Sequence, residues 1–246
     1  MKNARKDTLL NCHINEDILE KLKESIIFNS SAYIEMTDNS FYVPVGNGTE
    51  VSLIKWLQDA EIPAHEIIRQ KAGNVIYSHP FDSELKKSVI AVQHPGLNDT
   101  VRVYVKGAPE TVVENCSRHY KSNGELDALS YDQQNYVMEN IMTEKMAKLG
   151  HRVMAFAVND FDSAVFEQLR QDTNNFTSED TLAKLELGKT FLALVGLKDP
   201  QRDSIRDTLS YANRAGIKLR LVSGDHFETC RAFACDVGLI TKEQYD

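Results

Sequence analysis

Residues 191–240, FLALVGLKDPQRDSIRDTLSYANRAGIKLRLVSGDHFETCRAFACDVGLI, decide how this chain is read. The apolar run 191–197 stops at Lys198-Asp199-Pro200, where Asp199 ahead of Pro200 has the order of an N-cap followed by a first-turn proline. A strand should end there and a helix begin, with Ile205, Leu209 and Ala212 on its inner face and Gly216 as a left-handed C-terminal cap. Residues 217–222 (IKLRLV) alternate like a second strand and stop at Ser223-Gly224-Asp225. Phe227, Cys230, Ala234 and Val237 then mark one face of a second helix closed by Gly238. The expectation is strand, helix, strand, helix, an α/β unit.

Such a unit puts Ser223-Gly224-Asp225 beyond a strand's carboxyl end and at a helix's amino end, where free backbone N–H groups favour phosphate. The glycine lets main chain approach an oxyanion, the serine can donate a hydrogen bond, and the aspartate can orient water or a cation. The same tripeptide also suits an ordinary βα connection in any α/β protein. Gly188-Lys189-Thr190 imitates the end of a P-loop, but Ala183 stands where its first glycine is required and a strand follows where the P-loop helix should be. A Walker site is rejected.

A chain of 246 residues, 42% of them hydrophobic, can build one large domain or two smaller ones with real cores. A formal net charge of −8 and no long Lys/Arg run argue against nucleic acid or an anionic membrane as partner, while a local basic pocket for a small phosphate ligand stays open. Cys12, Cys116, Cys230 and Cys235 form no CxxC pair and no metal-ligand spacing with histidine, so they read as reduced thiols of a cytosolic compartment, and no metal site is assigned. The first ten residues lack the apolar core of a signal peptide, and no run reaches the roughly 20 residues that span a bilayer, so this segment is expected to make no membrane contact.

Earlier in the chain a helix is expected from Asn15 to about Asn29, capped by Asn15 and packed through Ile18, Leu22 and Ile26. After the Gly46-Asn47-Gly48 loop, Thr49 is the expected cap of a short helix that fixes Glu50 at its start. Strands are expected over 74–79, 88–94 and 101–105, antiparallel because hairpin-length links join them, one through His94-Pro95-Gly96. A helix opens at Lys106-Gly107-Ala108-Pro109-Glu110. A long one follows over 130–149, with Ser130 and Gln133 as a capping box, Met138, Ile141, Met142 and Met146 as its buried stripe, and Gly150 as its end. Residues 151–158 read as a strand, and the polar, acidic stretch 159–181 as a solvated excursion toward a second domain beginning near residue 188.

Taken in order, these segments resemble the cytosolic catalytic part of the P-type cation-transporting ATPases, and among them the calcium pumps of the plasma-membrane, calmodulin-regulated type (type IIB). Residues 45–53 (VGNGTEVSL) are similar to that family's conserved-glutamate segment, 80–88 to its Phe-and-Lys adenine segment, and 104–110 (YVKGAPE) to its lysine-glycine-alanine signature. Residues 150–155 (GHRVMA) resemble its arginine strand, 195–202 (VGLKDPQR) its aspartate-proline motif, and 215–225 (AGIKLRLVSGD) its threonine-glycine-aspartate motif with Ser223 in place of threonine. The resemblance implies a fold of two parts. Residues 1–188 would be an α+β nucleotide-binding domain with an antiparallel sheet and flanking helices, and 189–246 a partial, haloacid-dehalogenase-like phosphorylation domain.

The resemblance also implies roles for single residues. Phe81 would stack on the adenine of ATP, Lys86 and Lys106 would line its pocket, Gly107 and Ala108 would let the base lie against main chain, Glu50 would bond the adenine edge or hold a lysine, and Arg152 would reach the phosphates. Leu85 stands where the calcium pumps carry a basic residue, which leaves open whether Lys87 restores the charge. The family's phosphorylated aspartate, in Asp-Lys-Thr-Gly-Thr, and its later Gly-Asp-Gly-Val-Asn-Asp segment are not in these 246 residues. No catalytic residue and no Mg²⁺ ligand is therefore assigned, and the chain is expected to bind ATP without hydrolysing it alone. Its implied partners are the actuator domain and transmembrane helices of a cation-exporting pump, at the cytosolic face of a plasma or organellar membrane. Two other readings stay open, a stand-alone nucleotide-binding or interaction module without turnover and an unrelated α/β hydrolase-like protein.

Overall fold

The structure is a computed structural model that describes residues 14–37, 42–71, 74–93 and 99–245, with backbone alone at 68–71. The N-terminal decapeptide, Cys12 and the His94-Pro95-Gly96 turn lie outside the described residues. Contacts divide the chain into two compact units, Met1–Ser130 with Ala155–Ala193, and Tyr131–Met154 with Leu194–Asp246.

In the first unit, α1 (Glu16–Phe28) forms where the sequence placed it. Asn15 Oδ1 accepts from Asp17 N at 2.9 Å, two acidic residues sit in the first turn, and Leu22, Ile26, Ile27 and Phe28 are buried. β1 (Tyr33–Met36) and β2 (Tyr42–Val45) pair antiparallel as a separate ribbon. α2 (Gly48–Asp59) begins two residues earlier than expected, capped by Asn47 rather than Thr49. A cap accepts from the second or third helical N–H, and Asn47 Oδ1 lies 3.0 Å from Glu50 N, whereas Thr49 is already inside the first turn. α3 (Ala64–Lys71) follows.

β3 (Val75–Asp82), β4 (Lys87–Gln93) and β5 (Thr100–Gly107) are antiparallel neighbours, as their β-branched runs and short links predict. After α4 (Pro109–Val113), β6 (Arg118–Tyr120) and β7 (Leu126–Ala128) form a hairpin. α5 (Tyr131–Tyr136) belongs to the second unit, and β8 (Arg152–Asp162) then returns antiparallel to β5. α6 (Ser163–Asp172), α7 (Glu179–Ala183) and β9 (Thr190–Leu197) complete the layer, giving the sheet order β3-β4-β5-β8-β9-β6-β7. β4 and β5 are buried almost end to end, because both sheet faces are covered. Ile90, Val92, Tyr104 and Val158 pack with Phe28 and Ile67 of the helices on one face.

Residues 159–181 are not a solvated excursion. β8 continues to Asp162, whose side chain caps α6 by accepting from Ala164 N and Val165 N, and Phe166, Phe176 and Leu182 are buried. A few large apolar side chains anchor the stretch despite its polar composition. Lys189 is wholly buried against Glu186, and Thr190 opens a strand, which agrees with the rejection of a Walker site.

The second unit departs further from expectation. The single helix over 130–149 breaks into α5, a π-helical stretch Val137–Thr143 and a 3₁₀ turn Ala147–Leu149 ending at Gly150 in the left-handed region. Thr143 Oγ1 donates to the Met138 carbonyl at 2.9 Å, a bond back to i−5 that favours the wider turn. Of the expected stripe Met142 is buried, while Met138, Ile141 and Met146 are half-buried. α8 (Ile205–Arg214) starts after Ser204 rather than at Asp199-Pro200. Residues 201–204 are polar, and a helix in water is stabilised mainly by its packed face, which here begins at Ile205. The strand expected over 217–222 is irregular chain, with Ile217, Leu221 and Val222 exposed. An alternating segment becomes a strand only when a neighbour takes its ladder, and no strand among the described residues pairs with this one. α9 (Phe227–Val237) is capped by His226 and buries Thr229, Ala232, Ala234 and Val237. Phe227, expected on that face and in the first turn on the same side of the helix as the buried Ala234, is nevertheless 71% exposed. α10 (Lys242–Tyr245) ends the described chain.

Candidate functional site

Register brings the first-unit candidates to one end of the sheet. Asp82, Lys87, Gly107 and Ala155 form one row across β3, β4, β5 and β8, and Ser88, Lys106 and Phe156 form the next. Between the pairs His79–Val89 and Asp82–Lys87, two residues of β3, Pro80 and Phe81, stand opposite Ser88 alone. This is a β-bulge, which bends an edge strand and re-aims its side chains. The alternation of exposure breaks there, Pro80 and Phe81 both being exposed, Phe81 by 61%. The aromatic thus ends the row that contains Lys106.

Lys106 is only 2% exposed, and its Nζ donates to Glu50 Oε1 at 2.5 Å. Glu50, 8% exposed in the first turn of α2, accepts at Oε2 from Ser31 N at 2.9 Å and Ser31 Oγ at 2.6 Å. Burial pushes the Glu50 carboxyl up, but the Lys106 charge and the donors of Lys106 and Ser31 outweigh it and hold the group below the ordinary value of 4.5. A carboxyl depressed on folding adds stability that is complete above its unfolded value and is lost as pH falls through its folded one. Urea melts of wild type and Glu50→Gln from pH 7 to pH 3 should therefore show a gap that is widest at neutral pH and closes below about 4.5. A gap that does not change with pH would remove the charged pair from the account.

The lysine-glycine-alanine segment is shaped by a close backbone approach. A Cβ on Gly107 would lie 2.3 Å from the Lys86 carbonyl oxygen and 2.7 Å from Lys87 Cα, and Ala108 N donates to that same carbonyl at 2.9 Å. Ala108 then serves as N-cap position of α4, with Pro109 behind it. The β3–β4 turn opposite is fixed by Asp82, whose Oδ1 accepts from Glu84 N at 2.7 Å and Leu85 N at 3.1 Å, and by Lys86 in the left-handed region at φ +51°. Those backbone donors draw the Asp82 carboxyl below its usual range. Lys86 is about half exposed, its Nζ 3.4 Å from Glu110 Oε1. Lys87 instead turns to the buried Glu186, at 2.5 Å.

Arg152, Ser223, Gly224 and Asp225 all belong to the second unit. Arg152 grips Asp225 with two bonds, Nε to Oδ1 at 2.8 Å and Nη2 to Oδ2 at 3.1 Å. Ser223 Oγ accepts from Asp225 N at 3.1 Å, so that N–H is not presented to a ligand. Among the described residues no group of three or more histidine, cysteine or carboxylate side chains could hold a metal ion. Cys116, Cys230 and Cys235 are thiols, with Cys116 pushed up to about 12 by burial.

Three participants escaped the sequence reading: Ser31, which holds Glu50; Asn47, which caps its helix; and Asp82, which sets the turn between Phe81 and Lys86. Asn47 was legible, since an asparagine three residues before a glutamate is a helix-start pattern. Ser31 was not, because its partner lies 19 residues away across a ribbon.

A family model described as P-type ATPase, cytoplasmic domain N, matches residues 17–204. The chain is 27% identical over 240 residues to calcium-transporting ATPase 2 of Cryptococcus neoformans, covering 94% of this chain and 16% of that protein. It is 26% identical over 240 residues to a putative plasma membrane-type calcium-transporting ATPase 7 of Arabidopsis thaliana, covering 98% and 22%. To a sodium/potassium exporting P-type ATPase of Schizosaccharomyces pombe it is 29% identical over 227 residues, covering 92% and 20%. The chain spans about a fifth of the length of these curated relatives. No described helix is long and apolar enough to cross a membrane.

Proposed function

The chain belongs to the P-type ATPases, its residues 17–204 matching their cytoplasmic domain N, and from that premise we propose that it is the ATP-holding part of a cation pump, with calcium as the cargo suggested by most of the relatives' names. The observation that supports this most is the bulged row that carries an exposed Phe81 toward the Lys106–Glu50 pair. An exposed aromatic ring at the end of a sheet, with a half-exposed Lys86 at the far end of the turn that follows it, offers a stacking face and a cation to a nucleotide.

In this reading Phe81 stacks on adenine and Lys86 meets phosphate as a solvent-side point charge. Lys106 works from beneath, keeping Glu50 ionised and its second oxygen on Ser31, so that a buried carboxylate–ammonium pair forms the floor of the site. Gly107 and Ala108 supply main chain without bulk. Arg152 and the 223–225 loop, all of the second unit, are assigned to phosphate, for which Asp225 would have to release the guanidinium. ATP supplies the phosphoryl group. The accepting aspartate, the Mg²⁺ ligands, the actuator domain and the transmembrane helices are assigned to the rest of the pump, with this domain on the cytosolic side.

Phe81→Ala should weaken binding about ten- to a hundredfold, since a stacked base contributes roughly 1–3 kcal/mol. Trinitrophenyl-ATP fluorescence on the 246-residue chain reads this directly. Unchanged affinity would exclude Phe81 from the adenine contact and with it the proposed site.

A further inference from the structure

We propose that the cavity between β3 and the segment joining α6 to α7 is a second ligand site, one that takes a small organic ammonium with an apolar body. The cavity holds about 430 Å³, within the range of small-molecule pockets. Tyr77 and His79 line it, and His79 pairs with Val89, one position out of step with Ser88, so the cavity opens on the face of β3 away from the row of Phe81 and Lys106.

Its wall is aromatic and fixed. Tyr77 and Phe176 meet edge to face with ring centres 5.0 Å apart, Tyr77 Oη donates to the Phe176 carbonyl at 3.4 Å, and Phe176 is only 3% exposed. Its rim is acidic: Asp82, Glu84 and Glu179 line it, and no lysine or arginine does. Among the described residues these carboxylates do not gather closely enough to hold a metal ion. Negative charge around a cavity walled by the partly exposed Tyr77 ring, which the buried Phe176 holds in place, suits a cation that carries its own apolar surface. The backbone at this wall is held in an uncommon shape, with Asn174, Asn175 and Phe176 at φ +48°, +61° and +54°. Phe176 N on Thr173 Oγ1 at 3.3 Å and Asn175 N on the Arg170 carbonyl at 2.8 Å keep it there. Runs of non-glycine residues in this region persist where surroundings over-determine them, as at ligand clamps.

Titration calorimetry of the 246-residue chain with phenethylammonium, with phenethyl alcohol as its uncharged counterpart, tests the site. The ammonium should bind saturably at one site per chain, more weakly as salt rises, and ATP should not displace it. In a Glu84→Gln/Glu179→Gln variant, both positions being exposed and outside the proposed nucleotide contacts, affinity should fall about three- to tenfold with the thermal melt unchanged. Absence of saturable binding, equal binding of the alcohol, displacement by ATP, or wild-type affinity in the double variant would each overturn the proposal. Because Phe81 and Lys106 are untouched, a failure here is distinguishable from a failure of the nucleotide site.

Discussion

Lys106→Met should lower the unfolding free energy by about 3–5 kcal/mol at pH 7, the effect of leaving a buried charge without its partner. Glu50 is 8% exposed, and without the ammonium only the two donors of Ser31 remain on its carboxylate. The loss should be electrostatic rather than a matter of volume, because methionine fills a similar space. Removing both charges in Glu50→Gln/Lys106→Met should therefore restore most of the stability, since a buried pair as a whole contributes little beyond a well-packed apolar replacement. The pH dependence has a definite sign. In Lys106→Met burial is opposed by less, so the Glu50 carboxyl should rise above its unfolded value, and the variant should regain stability on acidification while wild type loses some. Urea denaturation of the four proteins in the cycle, at pH 7 and pH 4, reads all three quantities. A Lys106→Met variant within about 0.5 kcal/mol of wild type would mean that the pair is not formed in solution.

This pair also marks the limit of what the sequence made legible. The strands β3, β4 and β5 were readable from their β-branched residues, which β4 and β5 bury on both faces, and α1 because cap, acidic first turn and apolar spacing agree. The identities of Glu50 and Lys106 were readable through family resemblance, but not that the lysine is submerged: that depends on α2 delivering a carboxylate to the end of β5, a meeting of residues 56 positions apart. The bulge at Pro80-Phe81 was equally hidden, since it arises from the mismatch of β3 with β4 and not from β3 alone. Residues 217–222 failed in the opposite way. Their alternation is genuine, yet a strand is a property of a pair, and among the described residues nothing pairs with them. Residues 159–181 misled because composition was weighed above position, when Phe166, Phe176 and Leu182 suffice to anchor α6 and α7.

Gly107→Ala should be the most damaging single-methyl addition in the first unit, at about 3 kcal/mol, the upper part of the overpacking range. The added carbon would meet the Lys86 carbonyl at 2.3 Å and Lys87 Cα at 2.7 Å, and both are backbone that cannot rotate away. Relief requires β4 and β5 to separate at their paired ends, where Lys87 faces Gly107 and Ala108 N reaches the Lys86 carbonyl. Lys86 is also the last residue of the turn that Asp82 sets, so the disturbance should pass into the proposed nucleotide contacts. Stability and trinitrophenyl-ATP affinity should then fall together. Gly48→Ala provides the contrast, because a Cβ there meets nothing within 4 Å and the position begins α2. It should leave affinity unchanged and stability equal or higher by up to about 1 kcal/mol, through the narrower unfolded ensemble of alanine. If Gly107→Ala behaved like Gly48→Ala, the glycine would not be required by the β4–β5 approach, and the link between that approach and the shape of the turn would be lost.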